Sequence, residues 1–240
     1  MHRITCSIKI FTLVFVIFAG SFTASEKIEV KNMMKNIHWY GQDGFKLNLG
    51  KTIVYIDPFK IKDGNEKADY ILITHEHRDH FSPEDIEKII KKETKLLSCK
   101  AVIELYQGNK EEMKAGETVK FGGISVEAVP AYNVNKKFHT KESGKLGYVI
   151  SFKGVRIYHA GDTDVIPEMK DIKCDIALLP VSGVYVMTAG EAVEAAKILK
   201  PKMAVPMHYG AGVVGSIEDA RKLKEGLKDF EIEVIIKEKE

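Results

Sequence analysis

The sequence predicts an α/β fold in which two mixed β-sheets are covered by helices on their outer faces. Three observations predict it. Short apolar runs punctuated by glycine dominate the first half, as hairpins require. In the second half apolar runs alternate with helical patterns, as parallel strands joined by crossover helices require. And 240 residues, 45% hydrophobic and 29% charged, suit one sizeable soluble core.

The elements follow in order. Residues 1–25 read as an export signal: Arg3 and Lys9 precede the apolar run Ile10 to Gly20, and small residues follow. That run is short for a membrane span, which needs about 20 apolar residues, so an uncleaved anchor is the alternative. The mature chain is then the single domain 26–240, periplasmic or extracellular; a start at Met33 or Met34 would instead leave it cytoplasmic. The strands Ile37–Tyr40, Phe45–Leu49, Thr52–Ile56 and Ala68–Thr74 come next, with Gly41, Gly44 and Gly50 in the turns. Ser82-Pro83-Glu84-Asp85 opens a helix, with Ser82 as N-cap, Pro83 at its first position and acids in the first turn. Leu96–Ser98 reads as a strand and Ala101–Gln107 as a short helix. Four strands follow: Thr118–Phe121, Ile124–Val129, Gly147–Phe152 and Val155–His159. Ile176–Pro180 is a buried strand, Ala189–Leu199 an amphipathic helix stopped at Pro201, and Met203–Met207 a strand. Ser216–Leu227 is a helix and Phe230–Ile236 a last alternating strand. No internal repeat or linker is visible.

Lys+Arg of 36 against Asp+Glu of 34 leaves a net charge of +2, which implies no nucleic-acid partner. Cys99 and Cys174 form no Cys-x-x-Cys pair; they read as one disulfide or two free thiols, and not as metal ligands.

The strongest chemical signal is Thr74-His75-Glu76-His77-Arg78-Asp79-His80, which holds three of the chain's eight histidines. It lies between a hydrophobic strand and a capped helix, so it is a loop at a strand's C-terminal end. Imidazole and carboxylate are the usual ligands of zinc and similar ions. Such a loop can turn His75 and His77 to one side and Asp79 and His80 to another, enough to start two adjacent sites. Asp162 and His208 each follow a strand and can reach the same edge. Alone, Asp162 would read as a turn residue and His208 as a core histidine.

His75-x-His77-x-Asp79-His80 resembles the signature of the metallo-β-lactamase superfamily, and the likeness covers nearly all of the chain after the signal. The resemblance implies a four-layer αββα sandwich. It implies that Asp162, in Gly161-Asp162-Thr163, bridges two metals, that His208 is the last histidine ligand, and that Asp57 holds a ligand in orientation. Tyr158 to Thr163 and Lys200 to Tyr209 look most like the branch of small metal-dependent hydrolases related to the lactonases acting on ascorbate 6-phosphate.

The sequence departs from the pattern twice. Where the family supplies a third histidine to the first metal, Val129-Pro130-Ala131-Tyr132-Asn133 places Asn133, whose amide oxygen is a weak donor. His139, six residues on, is the expected replacement, leaving Asn133 a supporting residue; the alternative is a weakened first site and one ion. In Gln42-Asp43-Gly44 the family often has histidine, a departure that bears on substrate contacts more than on metal binding. His159 reads as a packed strand histidine, with support of a ligand as the alternative. Tyr185 and Met187 read either as pocket residues or as local packing.

The expected activity is therefore a metal-dependent hydrolase using one or two divalent ions, zinc first and Mn(2+) or Fe(2+) as alternatives. A metal-bound hydroxide would attack a small ester, lactone or phosphoester, with Asp79 binding one metal and orienting the nucleophile. The alternatives are a phosphodiesterase acting on lipid or nucleotide, and a metal-binding protein of the same fold without turnover. A small molecule is the expected partner, and a homo-oligomer is compatible with the sequence.

Overall fold

A computed structural model describes residues 24–240. Two mixed sheets form, and each begins with antiparallel strands and ends with parallel ones. The first runs β1 (Ile37–Gly41), β2 (Gly44–Leu49), β3 (Thr52–Ile56), β4 (Tyr70–Ile73), β5 (Lys95–Ser98) and β6 (Lys110–Glu112), in that spatial order. Pairing is antiparallel from β1 to β3 and parallel from β3 to β6. The second contains β7 (Thr118–Phe121), β8 (Ile124–Pro130), β9 (Leu146–Phe152), β10 (Val155–His159), β11 (Ile176–Pro180), β12 (Met203–Met207) and β13 (Glu233–Val234). Here β7 to β10 are antiparallel and β10 to β13 parallel.

The helices are α1 (Ala24–Met34), α2 (Pro83–Ile89), α3 (Lys100–Leu105), α4 (Ala189–Leu199) and α5 (Ile217–Gly226). Ser82 caps α2, and Thr188 and Glu191 form a reciprocal capping box at α4. Lys200, at φ +50°, turns the chain out of α4 before Pro201. The buried face of α4 carries the small side chains Ala192, Ala195 and Ala196, which allow close packing, beside Val193 and Leu199.

Buried side chains of both sheets make one core, in which Phe45, Tyr55, Tyr148 and Tyr158 are fully enclosed. Two contacts tie the sheets together at one edge. The Tyr148 hydroxyl donates to the carbonyl of Ile73 at 2.7 Å, and the Leu146 N–H donates to that of Thr74 at 3.1 Å. Beneath that edge Gly161, at φ +63°, has room for no side chain: a Cβ would lie 2.7 Å from the Leu146 carbonyl oxygen.

Several elements differ from their sequence-based bounds. The strand expected over Ala68–Thr74 shortens to β4, because the Ala68 N–H turns to Ile89 and the Thr74 N–H to the carboxylate of Asp57. The strand expected over Phe230–Ile236 pairs only at Glu233–Val234, and Phe230 is exposed. α3 ends at Leu105 rather than Gln107, with Tyr106 leaving the helical conformation. β6 and α1 were not expected at all. The export signal lies outside the described residues except at its end, where Ala24 and Ser25 open α1. Among the described residues no helix is long and apolar enough to cross a membrane. Cys99 and Cys174 are both free thiols.

Candidate metal centre

The loops leaving the C-terminal ends of β3, β4, β10 and β12 converge on the tied edge and bring Asp57, His75 to His80, Asp162 and His208 together. This is the edge where an α/β sheet offers its loops to ligands. The β1–β2 turn and the loop after β8 complete the wall. Four of the residues involved hold left-handed backbone: Gln42 (φ +52°), Asp57 (+44°), His139 (+55°) and His208 (+63°). Such conformations are unfavourable for a side chain by about 1–3 kcal/mol and gather at functional sites.

Asp57 organises the motif loop from below. Its Oδ1 accepts the Thr74 N–H at 2.7 Å and its Oδ2 the Thr74 hydroxyl at 2.6 Å. Oδ2 also lies 2.8 Å from His80 Nδ1. With that nitrogen donating to Asp57, His80 presents Nε2 to the centre, the orientation role expected of Asp57. Ser182 Oγ, 2.7 Å from His208 Nδ1, does the same for His208. Glu76 pairs at 3.0 Å with the buried Lys145, fixing the motif loop to the start of β9.

Two groups of donors result. His75, His77 and His139 form one; Asp43, His80, Asp162 and His208 form the other, each with ligand atoms within 4.8 Å of one another. In the first, His75 Nε2 and His139 Nε2 lie 3.0 and 3.1 Å from His77 Nδ1. Asp162 stands between the groups. Its Oδ2 is 3.6 Å from His139 Nδ1 and 3.9 Å from His75 Nε2, while its Oδ1 is 3.4 Å from both His80 Nε2 and His208 Nε2.

These residues fit divalent ions on their own chemistry. Asp43 Oδ1 and Oδ2, His80 Nε2, His139 Nδ1 and Asp162 Oδ1 are buried yet have no hydrogen-bond partner. Native proteins rarely leave so many polar atoms unpaired in one place unless an ion or water uses them. The bare charges show the same strain. Burial raises the carboxyl of Asp43, with only partial relief from His208 and His80. Burial would also raise Asp162, but His80 and His208 pull it well below the carboxylate range. Burial lowers His208, yet Asp162 and Asp43 push it up to about 9, and Asp162 and Asp57 likewise raise His80. In the imidazole group burial dominates: His139 falls to about 4, and His75 and His77 also drop, so these three are neutral.

The structure thus brings His75, His77, His80, Asp162 and His208 together and adds His139 from the loop after β8. Asn133 builds that loop through its N–H groups, while its Oδ1 is buried without a hydrogen-bond partner. Its Nδ2 donates to the carbonyls of Phe138 (3.0 Å) and Tyr185 (2.7 Å), and its N–H to that of His139 (2.7 Å). Asp79 stands outside both groups: its Oδ2 is 3.7 Å from His80 Nε2, accepts from Gln42 Nε2 at 3.1 Å, and is partly open to solvent. His159 packs edge-on against Phe45, and its Nε2 also reaches the Asp43 carbonyl at 2.9 Å while its Nδ1 accepts the Gly161 N–H. It is thus a packed strand histidine that also braces the turn carrying Asp43. Met187 is packed inside with its N–H on the Thr163 carbonyl, while Tyr185 is exposed beside Phe138. Sequence reasoning tied Gln42-Asp43-Gly44 to substrate contacts rather than to the donor groups, and passed over Ser182 and Lys145. A loop serine and one lysine among many carry no signal before the fold closes.

Residues 36–208 match the beta-lactamase superfamily domain family. A UPF0173 metal-dependent hydrolase of Archaeoglobus fulgidus is 35% identical over 224 residues, covering 83% of this chain and 94% of that protein. One from Thermoplasma acidophilum is 38% identical over 190 residues, covering 72% and 82%. The crystal structure of a candidate metal-dependent hydrolase from Parabacteroides distasonis superimposes with a TM-score of 0.75 at 37% identity, over 85% of this chain and 93% of that one. Igni18, a metallo hydrolase of Ignicoccus hospitalis, shares the fold with a TM-score of 0.69 at 24% identity, over 84% and 94%. A sandwich of two mixed sheets, with histidines and aspartates gathered at one edge, agrees with these likenesses: the chain belongs to the metallo-β-lactamase superfamily and, within it, to the UPF0173 family of metal-dependent hydrolases.

Proposed function

We propose that this chain hydrolyses a small ester, lactone or phosphoester at a centre of two divalent ions. The observation that carries the reading is the position of Asp162, one carboxylate oxygen facing His75 and His139 and the other facing His80 and His208. His75, His77 and His139 would hold one ion; His80, Asp162 and His208 would hold its neighbour, with Asp162 shared. Imidazole and carboxylate donors suit zinc, and also manganese and iron. When bound, such ions lower the pKa of water towards ~7 and polarise a carbonyl or phosphoryl oxygen.

The chain's own residues supply the rest. Asp57 and Ser182 hold His80 and His208 in orientation. Asp79, fixed by the Gln42 amide and partly open to solvent, is placed to accept the proton of the attacking water. Glu76 and Lys145 neutralise each other behind the motif loop and keep it rigid.

Purified protein assayed on lactone, carboxyl ester, thioester and phosphodiester substrates tests the reading. Turnover of an ester or lactone, lost with chelator and restored by metal, is the expected result. Turnover of the phosphodiester alone would select the phosphodiesterase alternative. Bound metal with no turnover of any class would select a metal-binding protein.

A further inference from the structure

Asp43 is an unusual residue to find at the bottom of this centre. It is fully buried, neither carboxylate oxygen has a hydrogen-bond partner, and Oδ2 lies 3.8 Å from His80 Nε2 and 3.9 Å from His208 Nε2. A buried carboxylate without donors is strongly unfavourable unless a cation compensates it. The turn that carries it is not an accident of a mobile loop. Gln42 locks it to the strand end beyond β12, donating its N–H to the Tyr209 carbonyl at 2.7 Å and accepting the His208 N–H at 2.9 Å. His159 holds the Asp43 carbonyl, and a side chain at Gly44 would meet the Asp57 carbonyl oxygen at 3.2 Å.

Asp79 reaches His80 Nε2 at a similar distance, 3.7 Å, but from the solvent side. Its side chain is 22% exposed, and its Oδ2 is held by the Gln42 amide. We propose that Asp43 is a ligand of the second ion, completing a set with His80, Asp162 and His208, and that Gln42 holds Asp79 on the solvent side of that site, beside the attacking water. The inference rests on the two-ion reading above. On the sequence alone the Gln42-Asp43 departure bears on substrate contacts; the structure moves it to the metal. One consequence is asymmetry. Beyond the shared Asp162, the first ion would see three imidazoles and the second two imidazoles and a further carboxylate, so the second site favours the harder of the competing ions.

Metal content, metal titration and thermal melting of wild type, Asp43→Asn and Asp79→Asn test it. Wild type should hold two ions. Asp43→Asn should hold one, or hold the second at least about tenfold more weakly. Excess metal should raise the melting temperature of Asp43→Asn less than that of wild type, because the second ion is held less well; an aspartate with a merely structural role would leave that increment unchanged. Asp79→Asn should keep both ions while losing turnover. Should Asp43→Asn not fold, Asp43→Ser is read by the same criteria. Two ions held by Asp43→Asn at wild-type affinity, or an ion lost from Asp79→Asn alone, would overturn the proposal and leave the hydrolase reading intact. Wild type without bound metal would overturn both.

Discussion

His139 Nδ1 lies 3.6 Å from Asp162 Oδ2, so a histidine outside the signature motif closes the first donor group against the carboxylate that faces the second. The chain reaches this arrangement through left-handed backbone at His139 and three hydrogen bonds from Asn133. The family-like position is thus taken by a residue that holds the His139 loop in place.

His139→Ala should lower bound metal from two ions to about one, because two imidazoles hold an ion poorly without the third. Metal analysis after extensive dialysis checks it. An unchanged count would return His139 to the status of a loop residue.

Asn133→Ala should leave the donors in place but loosen the loop that presents His139. Loss of its amide strands the Phe138 and Tyr185 carbonyls, a destabilisation of about 1–3 kcal/mol. Denaturant unfolding should register it, and the first ion should bind up to about tenfold more weakly. Asn133→His, in contrast, should not raise occupancy, since His139 already fills the role.

Asp57→Asn should weaken the second ion by about 10–100-fold without touching either ion directly. Asparagine cannot accept from Thr74 and His80 through both terminal atoms, so His80 is no longer held with Nε2 towards the centre. Isothermal titration with zinc, compared with wild type, reads this out.

The two ions should differ in pH dependence. His139, His75 and His77 are lowered below the usual histidine range and are neutral at pH 7, so no proton competes there. His80 is raised well above that range and His208 to about 9, and both must lose a proton to bind. Raised pKa values stabilise the metal-free fold below the unfolded value of about 6.5, and that contribution is lost as pH rises through the folded values. Metal-free stability should therefore fall between about pH 6.5 and 9, while affinity for the second ion rises over the same window. Melting with and without metal should show a widening gap as pH increases. A gap that narrows would contradict the charge assignment.

The export signal is proposed on its residue pattern, and intact mass tests it: mature protein should begin between Phe22 and Glu26. A start at Met33 or Met34 would remove most of α1, including Val30, which is buried at 1% exposure, and that shortened chain should melt lower.

Much of this was legible in the residues, for physical reasons that vary by element. The glycine-punctuated hairpins of β1 to β3 and the Ser82-Pro83 helix start are local devices, and they stand where local chemistry puts them. β6 reads Lys-Glu-Glu and offers no apolar face; it is a strand only because β5 pairs with it. α1 follows an apolar run that reads as a signal, so its register against the second sheet leaves no separate periodic trace. At the centre, His75, His77 and His80 are legible because they crowd into one loop. Asp43 is not, because an acid in Gln-Asp-Gly is ordinary turn chemistry. Only the closure of Gln42 onto Tyr209 and His208 buries it.

The central claim is that one carboxylate serves two ions, and metal analysis of Asp162→Ala against wild type tests it most directly. Wild type should retain two ions after dialysis, and Asp162→Ala, with circular dichroism showing the fold retained, should retain nearly none. His77→Ala, which removes a donor from one group only, should lose the first ion and all turnover. Undiminished metal in Asp162→Ala would contradict the account.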